Sequence, residues 1–246
     1  MKINKGTLFA VASLILLSVI LGIYYKSVSD KPKVETAKAV TSTTTTKLLQ
    51  PVEQAPAVKD SAILPVPYTL QGPLNNLNIH EESCEEAAAL MYHYFLEGQL
   101  TFNGSTVITP QLANDEMLKM KAWEVKNYGS EPDLSIERLG QFMRQYYGYK
   151  YQVFKNITVN DIKREISAGH PVMVPVMTHA LKNPHYGPIS VYHILVLKGY
   201  NPQNVIVNDS GVRGESIQYS WDILFQAIDA QTPKMGQGRV MAIVTK

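Results

Sequence analysis

The chain has 246 residues, a formal net charge of +2 and a single cysteine. One cysteine excludes an intrachain disulfide, so a hydrophobic core must hold the fold together. The first 60 residues carry the positive charge, because they hold 8 Lys and 4 acidic residues, whereas the other 186 hold 15 Lys plus Arg and 17 acidic residues, a net of 15 − 17 = −2. This larger part has no basic stripe, so we expect no nucleic-acid partner.

The amino-terminal segment is predicted to be a membrane anchor. Residues 8–25 are an uncharged run of 18 apolar or small residues, which at ~1.5 Å per residue spans about 27 Å, close to a bilayer core. A cleaved signal peptide ending at Ser27-Val28-Ser29 is the alternative, although the run is long for one. We therefore expect a single-pass transmembrane helix within residues 1–26.

Residues 27–60 are predicted to be a disordered linker, because Thr, Pro and Lys dominate and no hydrophobic periodicity is present. More Lys residues follow the anchor than precede it, which by the usual count leaves the following chain inside the cell. The short amino-terminal tail and the stalk-like linker favour export. We expect residues 61–246 to be one extracytoplasmic domain.

The first half of this domain is predicted to be helical after an extended segment over 63–70, which its prolines keep out of a helix. Ser83 and Glu86 form a predicted capping box for a helix from Cys84 to about Leu96, which Gly98 ends. Further helices are expected over three segments: Pro110 to about Lys126, Ser135 to Tyr147, and Val159 to Ala168.

The second half is predicted to be mostly β-structure. Strands are expected over 172–177, where Pro175 indicates an edge or a bend, and over 193–199, 204–208 and 240–244, with a helix from Ser220 to about Ile228. Helices followed by an antiparallel sheet indicate an α+β fold.

Cys84 is a candidate nucleophile because of its predicted place in the first turn of a helix. There the free backbone N–H groups and the helix dipole favour a thiolate. The alternative is that a lone cysteine is simply a small buried hydrophobe.

His193 and Asp209 are the candidate partners of this cysteine. If Gly199 pairs with residue 204 in the hairpin, His193 faces Ser210, whereas a shift of one residue sets it across from Asp209. The sequence leaves the register open, but in both cases the two segments end at the same edge of the sheet.

Each residue can then be given a chemical role. His193 would take the thiol proton and Asp209 would orient the imidazole. The Gln71 amide and the backbone N–H of Cys84 would stabilise an oxyanion. The alternative for residues 208–211, Asn-Asp-Ser-Gly, is an ordinary turn.

Several motifs carry a family resemblance over residues 63 to 230. They are Val66-Pro67-Tyr68-Thr69-Leu70-Gln71, Cys84 with Ala87, Ala88 and Met91, and the segments 168–174, 192–200 and 205–209. Together they resemble the papain-like double-glycine-leader peptidases, which process bacteriocins, and most closely their stand-alone, exported bacterial branch. The resemblance implies a papain-like fold with helices packed on an antiparallel sheet. It also implies Cys84 as nucleophile, His193 as base, Asp209 as orienting acid and Gln71 in the oxyanion hole.

One departure from the family pattern follows the cysteine, where Glu85-Glu86 replace the usual Gly-Pro. A negative charge beside the sulfur opposes ionisation of the thiol. Glu86 is expected to be engaged in the cap. Glu85 is expected on a solvated helix face, with a contact to a substrate amine as the alternative.

No metal or other cofactor is expected. His170, His179, His185 and His193 match no familiar ligand spacing. The loop over 183–188 is expected to cover the cleft and help to set specificity.

The sequence thus predicts a membrane-tethered thiol hydrolase of peptide or amide bonds, acting on a peptide, a protein or cell-wall peptide. Two alternatives remain: a catalytically inactive surface module that binds such material, and a cell-wall amidase or acyl transferase that uses the same Cys–His pair.

Overall fold

The computed structural model of the protein describes residues 57–188 and 190–246. The helices of this part are α1 (Cys84–Glu97), α2 (Pro110–Tyr128), α3 (Ile136–Tyr147), α4 (Val159–Ser167), α5 (Trp221–Ala230) and α6 (Thr232–Met235). The strands are β1 (Ala62–Ile63), β2 (Lys150–Lys155), β3 (Val172–Met177), β4 (Tyr192–Tyr200), β5 (Asn204–Asn208), β6 (Ile217–Ser220) and β7 (Val240–Thr245). A short 3₁₀ helix, Thr178–Leu181, follows β3.

All seven strands belong to one antiparallel sheet. Its order is β2-β7-β3-β4-β5-β6, and β1 pairs with the end of β4. The predicted α+β class with an antiparallel sheet is therefore confirmed.

Helices cover the sheet on both faces. On one face α1, α2 and α3 pack against side chains such as Met173, Ile194 and Ala242. On the other, α4 and α5 pack against Val174, Leu195 and Met241. Because both faces are covered, the central strands are continuous apolar runs rather than alternating ones.

Capping residues in the sequence correctly predicted several helix ends. Gly98 follows α1 in the left-handed conformation at φ 73°, which glycine adopts without a Cβ penalty. Ser135 and Ser220 cap α3 and α5, and their side chains accept hydrogen bonds from the third residue beyond each cap.

Two strands were not predicted, and the edge position that was one of two alternatives for Pro175 is not observed. β2 and β6 alternate in burial and are short, so their sequences carry a weak signal, and the partner of β2 is β7 at the far end of the chain. Pro175 lies in the central strand β3 rather than at an edge. Its missing N–H is tolerated because β3 and β7 pair only at Met173 and Ala242.

Within residues 57–188 and 190–246, none of the helices combines the length and the apolar character needed to cross a membrane. The anchor predicted over residues 8–25, and the linker as far as residue 56, lie outside the described residues and stay predictions.

Candidate active site

Cys84 is the first residue of α1, as predicted, but the capping box is wrong. The Ser83 side chain makes no cap hydrogen bond. Its hydroxyl lies 3.1 Å from Nδ1 of His80 instead. Glu86 does not reach back to Ser83 but is buried at 1% exposure, near Glu124. Ser83 still starts the helix through its carbonyl, which accepts from the Ala87 N–H at 3.0 Å.

The surroundings of Cys84 favour the thiol rather than the predicted thiolate. The side chain is 3% exposed, and its Sγ donates to Oε2 of Glu85 at 2.8 Å. Burial raises the pKa of Cys84 well above its ordinary value, the neighbouring Glu85 raises it further, and the backbone N–H of Ile194 acts in the opposite direction. Desolvation and a nearby carboxyl therefore oppose the ionisation that a helix N-terminus favours.

Glu85 does not lie on a solvated helix face, contrary to expectation. It is 2% exposed, and its second oxygen, Oε1, accepts from the backbone N–H of Leu134 at 2.8 Å. Burial raises the pKa of Glu85 to about 8. Both of its oxygens are thus occupied inside the protein.

His193 and Asp209 lie side by side at the start of β4 and the end of β5. Nε2 of His193 is 2.9 Å from Oδ1 of Asp209, and the two residues are 2% and 0% exposed. This contact leaves Nδ1 as the ring nitrogen available to a thiol proton.

Neither of the two hairpin registers considered above is observed. Val196 pairs with Asn208 and Leu197 with Val207, and a bulge between Leu197 and Gly199 shifts the remaining pairs. Continuing the Val196–Asn208 register sets Asp209 opposite residue 195, on the face that His193 shares. The two side chains are therefore diagonal neighbours, which lie within reach of each other.

Two tyrosines also hold Asp209. The hydroxyls of Tyr186 and Tyr219 donate to its carboxylate at 2.6 and 3.0 Å, and the backbone N–H of Gly211 donates at 3.1 Å. Burial alone would raise the pKa of Asp209, but His193 and the two tyrosines outweigh burial and lower it below its usual value. Asp209 is thus an ionised, fixed acceptor for the imidazole.

Gln71 is placed beside the cysteine helix with its amide engaged. Nε2 donates to the carbonyls of His80 and Glu81 at 2.8 and 2.7 Å, which uses both of its N–H bonds. The backbone N–H of Gln71 donates to the Ser210 carbonyl at 2.8 Å. Gln71 therefore ties the loop before Cys84 to the turn after Asp209.

A cleft of about 640 Å³ brings Gln71, Cys84 and His193 together. The loop expected to cover it does contribute, through His185 and Tyr186. The cleft is lined on other sides by both apolar and charged residues: Leu70, Leu77, Val191, Tyr192, Glu81, Glu82, Asp133, Lys234 and Arg213.

Across the described part of the chain, no group of three or more His, Cys, Asp or Glu side chains is arranged to hold a metal ion. His193 pairs with Asp209, whereas His170 pairs with Glu165 at 3.1 Å and His179 with Ser190 at 2.6 Å.

The sequence did not point to Tyr186 and Tyr219 as partners of Asp209. Tyr186 belongs to the loop over 183–188 that was expected to cover the cleft, so a contact between Tyr186 and the site could have been predicted from the sequence. Tyr219 lies on the unpredicted strand β6, and only the strand pairing brings it to Asp209. The side chain of Glu85 points into the protein, where it accepts a hydrogen bond from the backbone of Leu134, a residue distant in sequence.

A family model described as the Peptidase C39 like family matches residues 63–233. A crystal structure of a protein described as a C39-like peptidase from Bacillus anthracis is 16% identical, covers 76% of this chain and 99% of its own, and superposes with a TM-score of 0.46. No protein of curated function matches the sequence.

Proposed function

The chain belongs to the Peptidase C39 like family, and on that premise we propose that it is a membrane-tethered cysteine hydrolase that cleaves peptide or amide bonds. Membership supports a cysteine peptidase-like function acting on peptides. The catalytic residues and the tether are our own assignments.

The observation that carries the proposal is the buried His193–Asp209 pair, whose imidazole lines the same cleft as the only thiol of the chain. An imidazole held at 2.9 Å by an ionised carboxylate is fixed in one tautomer and is ready to accept a proton at its other nitrogen. The same cleft contains Cys84 and Gln71. A base, an orienting acid and a nucleophile are thus available to one bound substrate.

In the proposed mechanism Nδ1 of His193 takes the proton of Cys84, and the sulfur attacks the substrate carbonyl carbon. The carbonyl oxygen becomes an oxyanion, which the backbone N–H of Cys84 stabilises. Gln71 contributes a second donor if one N–H leaves the carbonyl of His80 or Glu81. The imidazolium then protonates the leaving amine, and a thioester forms. Water, deprotonated by His193, hydrolyses the thioester and restores the thiol.

The substrate we propose is a peptide, and peptide of the cell wall is one source. A cleft of about 640 Å³ is in the size range of pockets that bind small molecules or a few residues of chain. The mixed apolar and charged lining suits a peptide better than a purely apolar ligand.

The proposed tether is the uncharged segment over residues 8–25, followed by the linker, with the catalytic domain outside the cytoplasm. Its support is the length of that segment. We expect the full chain to stay in carbonate-washed membranes and a chain with charged substitutions in 8–25 to be released. Protease added to spheroplasts should digest the domain, and protection of the domain would contradict an external position.

Hydrolysis is tested by incubating the full chain with a peptide mixture in heavy-oxygen water. New carboxyl termini should carry the heavy oxygen, and Cys84→Ser should abolish them. Incorporation of an added amine in place of water would favour the acyl-transferase alternative. The absence of any product with the wild-type chain would contradict both.

A second candidate is a binding module without catalysis, and the Cys84–Glu85 contact favours it. A buried thiol that donates to a carboxyl is a poor nucleophile. In that case Cys84→Ala would bind peptide as tightly as the wild type does, and no product would form with either chain.

A further inference from the structure

Both carboxyl oxygens of Glu85 are held by hydrogen bonds, one from the candidate nucleophile and one from the backbone beside the cleft. One oxygen accepts from the thiol of Cys84 at 2.8 Å, and the other from the backbone N–H of Leu134 at 2.8 Å. The carboxyl is 2% exposed. The carboxyl therefore cannot turn to solvent without breaking a buried hydrogen bond. Because it contacts the sulfur directly, its protonation state changes how easily the Cys84 thiol ionises.

We propose that Glu85 is a positioning residue that couples the reactivity of Cys84 to its own protonation, releasing the thiol to His193 only while the carboxyl carries a proton. This inference rests on the proposed function, since it assigns a regulator to the same nucleophile.

The site has two states, which differ in whether Glu85 carries a proton. With Glu85 ionised, the Cys84 S–H donates to the carboxylate, and the thiol keeps its proton. With Glu85 protonated, the carboxylic O–H donates to the sulfur, and when the thiol reacts its proton passes to Nδ1 of His193. Raising the pH removes one proton from Glu85 to solvent and returns the site to the first state.

Burial, together with a neighbouring carboxylate, favours a protonated Glu85 at neutral pH. Burial is the main reason that its pKa lies near 8, and the carboxylate of Asp133 acts in the same direction. Four titratable groups act electrostatically on Cys84 or Glu85: Glu86 from α1, Asp133 from the segment before α3, Tyr192 from β4 and Tyr186 from the loop before β4. His193 from β4 and Lys234 from α6 line the same cleft. Of these groups His193 and Lys234 can carry a positive charge, and Lys234 pairs with Asp133 at 2.9 Å.

Glutamine at this position reproduces the protonated state. Its carbonyl can accept from Leu134, and its amide can donate to the sulfur, with little change in shape. Glu85→Gln should therefore fix the site in the released state at every pH.

The test is the rate at which iodoacetamide alkylates Cys84 as a function of pH, measured by mass spectrometry on the full chain. The wild-type rate should pass through a maximum and fall as the pH rises through about 8, whereas Glu85→Gln should keep rising and exceed the wild type by about tenfold above that point. Glu137→Gln, an exposed acid on α3, is the matched control and should follow the wild type. Superimposable profiles for wild type and Glu85→Gln, including no labelling of either, would overturn the inference.

A second measurement does not depend on the Glu85 variant folding. The thiolate absorbance, taken as wild type minus Cys84→Ser, should not rise as the pH passes from about 7 to about 9, where an ordinary thiol ionises. A normal thiol titration would overturn the inference. A changed alkylation profile without any peptide cleavage would retain the role of Glu85 and reject the proposed function.

Discussion

The hydroxyl of Tyr186 occupies the space that a Cβ atom on residue 211 would need, and only glycine leaves that space open. The same hydroxyl donates to Asp209 at 2.6 Å. Gly211 thus allows the contact that fixes the orienting acid.

Gly211→Ala is expected to displace Tyr186 and lower kcat by about tenfold, equivalent to ~1.4 kcal/mol of transition-state stabilisation. Tyr186→Phe should cause a similar loss, and the double variant should lose little more, because both changes remove one hydrogen bond. The measurement is peptide hydrolysis by the three variants. Wild-type activity in Gly211→Ala would contradict the role of this contact.

Asp209→Asn should lower kcat/KM at least about a hundredfold, since the amide lacks the charge that stabilises the imidazolium. Steady-state hydrolysis measures the effect. Asp229→Asn is the matched control, because Asp229 is an exposed acid paired with Arg239. Equal losses in the two variants, or none in Asp209→Asn, would argue against an orienting acid.

Gln71→Ala removes two hydrogen bonds to the loop before Cys84, so we expect unfolding to become easier by about 1–3 kcal/mol. If Gln71 also stabilises the oxyanion, kcat should fall by about a hundredfold or more with little change in KM. Denaturant unfolding and hydrolysis kinetics separate the two effects. Gln99→Ala, an exposed position, should change neither. A destabilised Gln71→Ala chain with normal kcat would leave Gln71 as a loop anchor only.

Stability should fall as the pH rises from about 5 to about 8. Burial raises the pKa of Glu85 to about 8 and of Glu124 to about 7, and it raises the pKa of Glu86 well above its ordinary value. The folded chain therefore binds protons that the unfolded chain has already lost, and unfolding releases them. The stabilising effect is complete below the ordinary glutamate pKa and is lost as the pH passes the raised values.

Thermal melts across this pH range test the effect. Glu124→Gln should flatten the fall in Tm, because Oε1 of Glu124 has no partner in the described structure and its charge raises the pKa of Glu86. Glu116→Gln, which changes a partly exposed acid paired with Lys119, should leave the slope unchanged. A wild-type Tm that rises over the same range would contradict the prediction.

Local sequence signals were sufficient for much of the fold. Gly98, Ser135 and Ser220 ended or started helices as predicted, because caps depend on neighbours within one turn of chain. The bulge between Leu197 and Gly199 carried no such signal, and it set the hairpin register. Strand pairing across long loops is decided by the completed sheet.

The candidate site, like the fold, could be predicted only in part from the sequence. Family motifs selected Gln71, Cys84, His193 and Asp209, and the structure brings His193 and Asp209 into contact and Gln71, Cys84 and His193 to one cleft. The burial of Glu85 could not be deduced, because the helix dipole favours an acid at that position whether it points inward or outward. Only the tertiary contact with Leu134 decides its direction.

The most direct test of the account compares the alkylation of Cys84 in the wild type and in His193→Ala at about pH 6.5, where an ordinary thiol is almost fully protonated. Since the chain has one cysteine, every modified thiol is Cys84. We expect iodoacetamide to modify the wild type at least about tenfold faster than His193→Ala. Equal rates in the two folded chains, no faster than in the unfolded chain, would contradict the claim that His193 activates Cys84.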